Sequence, residues 1–205
     1  MTESESLLEE LLSSKDIEFL KIPESITPTP DFKVTIHGEE SYWEVKELEE
    51  NPDEKGILKD IKNGCNEIYS VNSQRVENSI KFAAKQFKGY GVTDKPCIVV
   101  LYDSRDFATM DFLFLQYIQT AILGSAEYMK KTDGTVVEVN RRDGLLTQRK
   151  KYISAIAVIS RYSKDILFLH NPNTSYPVLN KWLPPIFTTH YQAVTDAQGL
   201  QWIKV

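Results

Sequence analysis

The first hydrophobic residues of the chain recur with a helical spacing. Leu7, Leu8, Leu11 and Leu12 lie within residues 4–14 and are flanked by acidic residues. Side chains at i, i+1, i+4 and i+5 fall on one face of an α-helix. The pattern therefore predicts an amphipathic helix over residues 4–14.

The next hydrophobic residues alternate with polar ones, which is typical of a half-buried strand. Phe32, Val34 and Ile36 alternate with polar residues, and the alternation resumes over residues 42–48. Residues 37–40 lie between the two runs and have the composition of a tight turn. The sequence therefore predicts a β-hairpin.

Further along, one helix and one strand have clear signals. A hydrophobic stripe over residues 76–87 predicts a helix that begins after Asn72 or Ser73 and ends at Gly89. Residues 97–102 form an unbroken apolar run, which is typical of a strand covered on both faces by helices. The chain is therefore predicted to contain both helices and buried strands.

Weaker patterns complete the prediction. They indicate helices at 57–69 and 108–123, an irregular or hairpin insertion at 124–151, and strands at 154–159 and 166–170. Aromatic residues in the last quarter are expected to pack a C-terminal subdomain over the sheet. We predict one domain over residues 1–205 with an α/β fold, in which helices flank a mixed central sheet.

Composition and charge narrow the class of protein. The chain has 205 residues, of which 41% are hydrophobic, and it contains no apolar run long enough to cross a bilayer, so we expect no membrane partner. Two cysteines give no disulfide framework, and we expect a cytoplasmic location. Residues 1–54 hold 16 acids and four bases, whereas residues 55–205 hold 13 acids and 20 bases. This division suits a cation site beside a phosphate-binding surface, although solvated faces of opposite charge explain it equally well.

The predicted hairpin brings together residues that can bind a cation. If Gly38 and Glu39 form the centre of the turn, Asp31 lies opposite Lys46. Glu44 and Lys46 are two residues apart on one strand and therefore project from the same face. Two carboxylates at this separation can bind one hard cation such as Mg²⁺, with the ammonium close to its bound water. The alternative is an ordinary exposed hairpin with a cross-strand ion pair.

These residues resemble the motif of the PD-(D/E)XK nuclease superfamily. The matching sequence is Pro30-Asp31, a 12-residue spacer, and Glu44-Val45-Lys46. The resemblance implies that Asp31 and Glu44 hold Mg²⁺ or Mn²⁺ and that Lys46 positions or activates the attacking water. It also implies a restriction-endonuclease-like core of helix, three strands, helix and strand at about residues 4–123, with a C-terminal elaboration at 124–205.

Two more features of the superfamily have counterparts in this chain. Many members carry a further metal-binding carboxylate on the first helix, where Glu9 and Glu10 are available, and we assign Glu10. A subset similar to RecB-type nucleases carries Gln and Tyr four residues apart, as Gln86 and Tyr90 are here. The resemblance implies a supporting catalytic role for Gln86, and Gly89 is expected to end the helix before Tyr90.

Basic residues are candidates for contact with nucleic acid. A short segment carries the five candidates, which are Arg141, Arg142, Arg149, Lys150 and Lys151. A polynucleotide is held through its phosphates, whose counterions are released on binding. The alternative is a solvated loop. Three lysines at helical spacing within 81–88 favour a solvent-exposed stripe over phosphate contact.

The sequence thus predicts a divalent-metal-dependent nuclease that hydrolyses phosphodiester bonds, with DNA as the expected substrate and RNA as an alternative. Duplex cleavage would need two such centres, which a homodimer could supply. The alternative from another class is a catalytically inactive nuclease-like module that binds nucleic acid or protein.

Overall fold

The structure, a computed structural model, describes residues 2–64, 73–106, 114–178, 186–196 and 199–205. Its helices are α1 (Glu3–Ser13), α2 (Pro52–Lys62), α3 (Gln74–Tyr90) and α4 (Phe114–Leu123). Its strands are β1 (Glu18–Lys21), β2 (Phe32–Ile36), β3 (Glu39–Leu48), β4 (Cys97–Asp103), β5 (Gly124–Lys130), β6 (Val136–Asp143), β7 (Ile153–Ser160), β8 (Leu167–His170), β9 (Thr189–Asp196) and β10 (Gly199–Lys204).

Eight of these strands form one mixed sheet in the order β1-β2-β3-β4-β7-β8-β9-β10. β1, β2 and β3 pair in antiparallel fashion, whereas β4 lies parallel to both β3 and β7. The connection from β3 to the parallel β4 contains α2 and α3, as a crossover between parallel strands requires. The prediction of an α/β fold with a mixed central sheet is confirmed.

The sheet separates two hydrophobic clusters. One cluster includes Leu8 and Leu12 of α1 together with Trp43 of β3, and we call this side the α1 face. The other includes Ile80 and Phe87 of α3 together with residues of α4, and we call this side the α3 face. All seven residues of β4 are buried, so the prediction of a strand covered on both sides is confirmed.

The first helix begins and packs as its sequence suggests. The Thr2 hydroxyl accepts a hydrogen bond from the Glu5 N–H, while the Glu5 carboxylate accepts one from the Thr2 N–H. This capping box satisfies two backbone donors at the helix start. Leu8, Leu11 and Leu12 are buried against the sheet, so the predicted amphipathic helix is confirmed.

The end of α3 corrects a prediction. The helix passes through Gly89 and ends at Tyr90, because Gly91 has a φ of 85° and forms the C-cap. A glycine adopts this left-handed conformation readily. Gly89 instead makes room for another segment, since a Cβ added there would lie 2.9 Å from the Cβ of Pro28.

Other boundaries differ from the sequence predictions. The predicted helix at 57–69 corresponds to α2, which begins at Pro52, and residues 65–69 lie outside the described part of the chain. The predicted helix at 108–123 corresponds to α4, and its residues 108–113 also lie outside the described part of the chain. The predicted insertion contains the separate β5–β6 hairpin.

The C-terminal region corrects another expectation. β9 and β10 extend the central sheet at its edge, whereas aromatic residues led us to expect a subdomain packed over it. Trp202 packs against the cluster on the α3 face, while Trp182 lies outside the described residues. None of the described helices combines the length and the apolar character needed to cross a membrane.

Candidate functional site

The β2–β3 hairpin places Asp31, Glu44 and Lys46 on the α3 face. Glu44 pairs with Val99 and Lys46 pairs with Leu101, and both partners belong to the cluster on that face. Asp31 precedes Phe32, which is buried on the α1 face, so the alternation of a strand directs Asp31 to the α3 face. The predicted convergence on one face is therefore observed.

The register of the hairpin differs from the prediction by two residues. Ile36 pairs with Glu39, so the turn contains only His37 and Gly38, whose φ angles are 52° and 80°. Two positive φ angles are typical of the type I′ turn that favours tight hairpins. Asp31 consequently lies at the level of Glu44 rather than opposite Lys46, because the adjacent pair is Phe32 with Trp43.

Hydrogen bonds hold the three polar residues in place. Asp31 Oδ2 accepts a hydrogen bond of 2.7 Å from the Val45 N–H at the point where the β2–β3 ladder ends. Lys46 Nζ donates to Glu44 Oε1 over 2.5 Å. Glu44 is only 1% exposed, and its Oε2 is buried without a hydrogen-bond partner. The cluster therefore contains one carboxylate oxygen that no protein donor satisfies.

Burial and like charge shift the pKa values of both acids upward. Burial raises the pKa of Glu44 most, and the charge of Asp31 raises it further. The Lys46 ammonium and the Asp31 N–H oppose them without balancing them, which leaves the pKa at about 8. Burial also raises the pKa of Asp31, although the Val45 N–H and Lys46 act in the opposite direction. Two acids that disfavour each other's ionisation form a site that a cation can stabilise.

The residues present fit a hard divalent cation. Asp31 and Glu44 supply carboxylate oxygens, and the unsatisfied Glu44 Oε2 is the type of donor that Mg²⁺ and Mn²⁺ accept. No group of three or more His, Cys, Asp and Glu side chains that could hold a metal occurs among the described residues. Mg²⁺ commonly binds through one or two carboxylates and takes its other ligands from water and phosphate.

The structure does not bring Glu10 to these carboxylates. Glu10 is exposed and lines a cavity of about 210 Å³ together with Tyr102 and Arg161. Tyr102 belongs to the cluster on the α1 face, whereas Glu44 projects from the α3 face. α1 packs on the opposite side of the sheet, which is why Glu10 cannot share the face of Glu44.

The acid of α1 that influences the site is Glu5, which the sequence analysis missed. Its charge raises the pKa of Asp31, and Lys21 lowers the same pKa. Glu5 Oε2 and Lys21 Nζ form an ion pair of 2.7 Å. Glu5 also forms the capping box at the start of its helix. The sequence pattern around Glu5 therefore indicates a structural role and gives no sign of its electrostatic effect on Asp31.

Gln86 and Tyr90 lie one turn apart at the C-terminal end of α3. Because α3 continues to Tyr90, both side chains occupy the same flank of the helix. The Tyr90 ring lies 5.9 Å from the ring of Tyr42. Tyr42 projects from the same face of β3 as Glu44, so the flank that carries Gln86 is the one next to the candidate site.

Two of the three arginines of the predicted basic segment are engaged in ion pairs. Arg141 in β6 pairs with Glu138 over 2.7 Å. Arg142 pairs with Glu77 of α3 over 2.9 Å and thereby attaches the β5–β6 hairpin to that helix. Their charges are therefore partly neutralised within the protein, which sequence spacing could not indicate.

The rest of the basic segment forms the loop before β7. Arg149 and Lys151 are exposed, and Lys150 adopts a φ of 53° and lines a cavity against α3. The segment is therefore divided between the end of β6, which carries Arg141 and Arg142, and the loop before β7, which carries the other three residues.

Two histidines that are distant in sequence meet in the core. His170 Nε2 and His190 Nδ1 are 2.9 Å apart, and both rings stack on Phe168. Burial lowers the pKa of His190 and, together with the nearby His190, lowers that of His170 to about 3. This neutral, packed pair is separate from the candidate site.

Comparisons of the chain with protein-family models, with curated proteins and with solved structures each found no match. The interpretation of the site therefore depends on its geometry and chemistry.

Proposed function

We propose that the protein is a divalent-metal-dependent nuclease that hydrolyses phosphodiester bonds in nucleic acid, with DNA as the expected substrate. The observation that carries this proposal is the buried Glu44, whose unsatisfied Oε2 lies in a cluster with Asp31 and Lys46. The element order from α1 to β4 supports a restriction-endonuclease-like core, since a helix, three antiparallel strands, a helical crossover and a parallel strand follow one another.

In this proposal, Asp31 and Glu44 hold Mg²⁺ or Mn²⁺ through their carboxylate oxygens. The bound metal ion would lower the pKa of a water molecule and polarise the scissile phosphate. The Lys46 side chain is 25% exposed to solvent, so its ammonium can reach a substrate oxygen. There it would orient the attacking water and stabilise the negative charge that develops on the phosphate.

Gln86 and Tyr90 would serve as positioning residues. They lie on the flank of α3 next to β3, and Tyr90 is fixed by its contact with Tyr42. An amide can both donate and accept hydrogen bonds, which suits the alignment of a water molecule or a phosphate oxygen. Glu10 has no place in this proposal, because it lies on the other side of the sheet.

A second candidate function is that of a catalytically inactive nuclease-like module. The ion pair between Lys46 Nζ and Glu44 Oε1 favours it, because the ammonium then holds the carboxylate that would otherwise bind the metal. In such a module the cluster would serve only to support the hairpin. Metal binding and cleavage distinguish the two functions.

The test is cleavage of plasmid, single-stranded DNA and RNA in the presence of Mn²⁺, Mg²⁺ or EDTA. We expect Mn²⁺-dependent cleavage by the wild type and a loss of about 10³-fold in Asp31→Asn and in Lys46→Ala. The first variant removes a proposed metal ligand, and the second removes the ammonium that would stabilise the developing charge. Glu47→Gln is the matched control, because Glu47 lies on the same strand but is exposed.

Thermal melts of the variants establish that each one folds. Equal cleavage by the wild type, Asp31→Asn and Lys46→Ala would remove the assigned site. Folded wild-type protein that neither binds Mn²⁺ nor cleaves any substrate would favour the inactive module. Sedimentation of the wild type with and without duplex DNA tests the proposed homodimer.

A further inference from the structure

A groove on the outer flank of α3 joins residues that are distant in sequence. Its volume is about 480 Å³. The residues that matter here, which we call the lysine groove, are Lys81, Lys85, Lys88, Phe82, Lys150 and Tyr152. The three helical lysines were expected to form a solvent stripe, but the loop before β7 brings Lys150 against them and makes the surface concave.

The lysine groove is strongly basic. No acidic residue lines it, and within the part of the chain that the structure describes no carboxylate forms an ion pair with Lys85, Lys88 or Lys150. Lys81 lies 3.6 Å from Glu77 Oε2, but Glu77 also binds Arg142 and so is shared. The groove therefore holds four ammonium groups with little internal compensation.

Mutual repulsion within the groove is visible at Lys150. Burial lowers the pKa of this lysine most, and the positive charges of Arg149 and Lys81 lower it further. An anion in the groove would relieve this repulsion. A row of anions would do so along the whole helix flank, because Lys81, Lys85 and Lys88 follow one another at successive turns.

An aromatic ring stands among these charges. Phe82 is 57% exposed, although most phenylalanines are buried in a core. Lys85 Nζ lies 5.2 Å from the centroid of the ring. The floor of the groove is fixed, because the Tyr152 hydroxyl donates a hydrogen bond of 3.3 Å to the carbonyl oxygen of Ala84. An apolar ring between ammonium groups suits a ligand that carries both phosphates and flat rings.

We propose that the lysine groove binds single-stranded nucleic acid, with phosphates on the lysines and an unpaired base stacked on Phe82. A duplex fits less well, because its bases stack on one another inside the helix and cannot reach the ring. Phe82 of the groove lies one helical turn before Gln86 on α3, so a strand stacked on Phe82 can continue along the Gln86 flank towards Asp31 and Glu44. Only the path of the strand towards Asp31 and Glu44 rests on the proposed function; binding in the groove does not.

Binding in EDTA tests the groove separately from catalysis. The probe is a fluorescein-labelled oligothymidine, compared by fluorescence anisotropy with a labelled duplex at several salt concentrations. The groove variant is Lys81→Gln/Lys85→Gln/Lys88→Gln. The matched control is Lys55→Gln/Lys59→Gln/Lys62→Gln on α2, which changes the net charge equally at a cavity that also includes Glu50 and Asp106.

We expect the groove variant to bind the oligothymidine at least about tenfold more weakly and to lose about two units of the salt-dependence slope, because three phosphate contacts are removed. The α2 control should stay within about twofold of the wild type. Equal weakening in both triple variants would overturn the proposal, since it would mean that only net charge matters.

The Phe82→Ala variant tests the stacked base. We expect it to weaken oligothymidine binding by about 5-fold to 150-fold, the range that corresponds to base–aromatic stacking, while duplex affinity stays unchanged. Phe82→Tyr should restore binding. Because Phe82 is exposed, the variants should fold, and their melting curves verify this. Unchanged oligothymidine binding in Phe82→Ala would overturn the proposal. Wild-type protein that binds the oligothymidine in EDTA but cleaves no nucleic acid with Mn²⁺ or Mg²⁺ would overturn only the proposed function.

Discussion

Two buried clusters of acidic residues lie on the α3 face of the sheet, and they differ in how their oxygens are satisfied. The first comprises Asp31, Glu44 and Lys46. The second comprises Glu54 at the start of α2, Asp103 at the end of β4, and Arg105. The two clusters are close in the sheet, because Lys46 pairs with Leu101, two residues before Asp103.

The second cluster is saturated with hydrogen bonds. Arg105 binds Asp103 through Nε and Nη2 at 2.7 and 2.8 Å, and its Nη1 binds Glu54 Oε1 at 2.9 Å. Glu54 Oε2 accepts hydrogen bonds from Arg75 and from the Asn51 N–H. Bidentate pairs of this kind are the strongest that side chains form.

Glu54 and Glu44 are both buried, but their pKa values shift in opposite directions. Burial raises the pKa of Glu54, but the hydrogen bonds from Asn51, Arg75 and Arg105 outweigh it, and the pKa is lowered. In Glu44, burial and Asp31 outweigh Lys46, and the pKa is raised to about 8. A buried acid with all its donors stabilises a fold, whereas a buried acid with an unsatisfied oxygen is available to a ligand.

Arg105→Ala should have the largest effect on stability. The substitution leaves Asp103 and Glu54 buried without their main cation, and we expect a loss of about 3–5 kcal/mol in the free energy of unfolding. Urea unfolding measures this loss. Arg161→Ala is the control, because the exposed pair of Arg161 with Asp106 should contribute at most about 1 kcal/mol. Similar losses in both variants would contradict a structural role specific to Arg105.

Glu44 should make stability depend on pH in the direction opposite to an ordinary ion-paired acid. Its pKa is about 8 in the folded protein and 4.5 in the reference state, so the folded protein holds the extra proton between these values. Its stabilising contribution is complete below pH 4.5 and is lost as the pH rises through 8. Relative to Glu44→Gln, the wild type should lose up to about 1.4 kcal/mol of unfolding free energy per pH unit in this window.

Urea unfolding at pH 5.5, 6.5 and 7.5 provides the measurement. Glu47→Gln is again the control, because it removes an exposed acid from the same strand and should keep the slope of the wild type. Parallel curves for the wild type and Glu44→Gln would mean that Glu44 is not the acid that holds the proton.

The free energy of metal binding should change by no more than about 1.4 kcal/mol per pH unit, and metal binding should give the clearest contrast between the clusters. A cation at Glu44 must displace its proton, so the affinity for Mn²⁺ should rise about tenfold per pH unit below pH 8 and then level off. Isothermal titration calorimetry at pH 6.5 and 7.5, in buffers of different ionisation enthalpy, measures both the affinity and the released proton. Glu44→Gln should lose the binding, while Arg105→Lys should retain it. An affinity that is independent of pH would contradict the assignment.

The sequence predicted the convergence of the site even though it misplaced the turn. Centring the turn on Gly38 and Glu39 shifted the register by two residues from the one observed. Because side chains alternate with a period of two, a shift of two keeps every residue on its face, whereas a shift of one would have reversed all of them. The face of the sheet on which each side chain lies could therefore be predicted more reliably than its cross-strand partner.

Long-range packing decided what the sequence could not. Glu10 and Glu5 are both acids of one helix, and only its docking on the α1 face determines which of them approaches Asp31. Similarly, Lys150 joins the lysines of α3 only because the loop before β7 folds against that helix.

By itself, the sequence determined the local elements and their faces, because hydrophobic periodicity, turn residues and alternation act over a few neighbouring positions. This covers the first helix, the hairpin and the shared face of Asp31, Glu44 and Lys46. Only the tertiary structure decided the raised pKa of Glu44, the saturation of Glu54, and the order of the outer strands. These properties depend on burial and on charges supplied by distant segments, and no local pattern records which segments will meet.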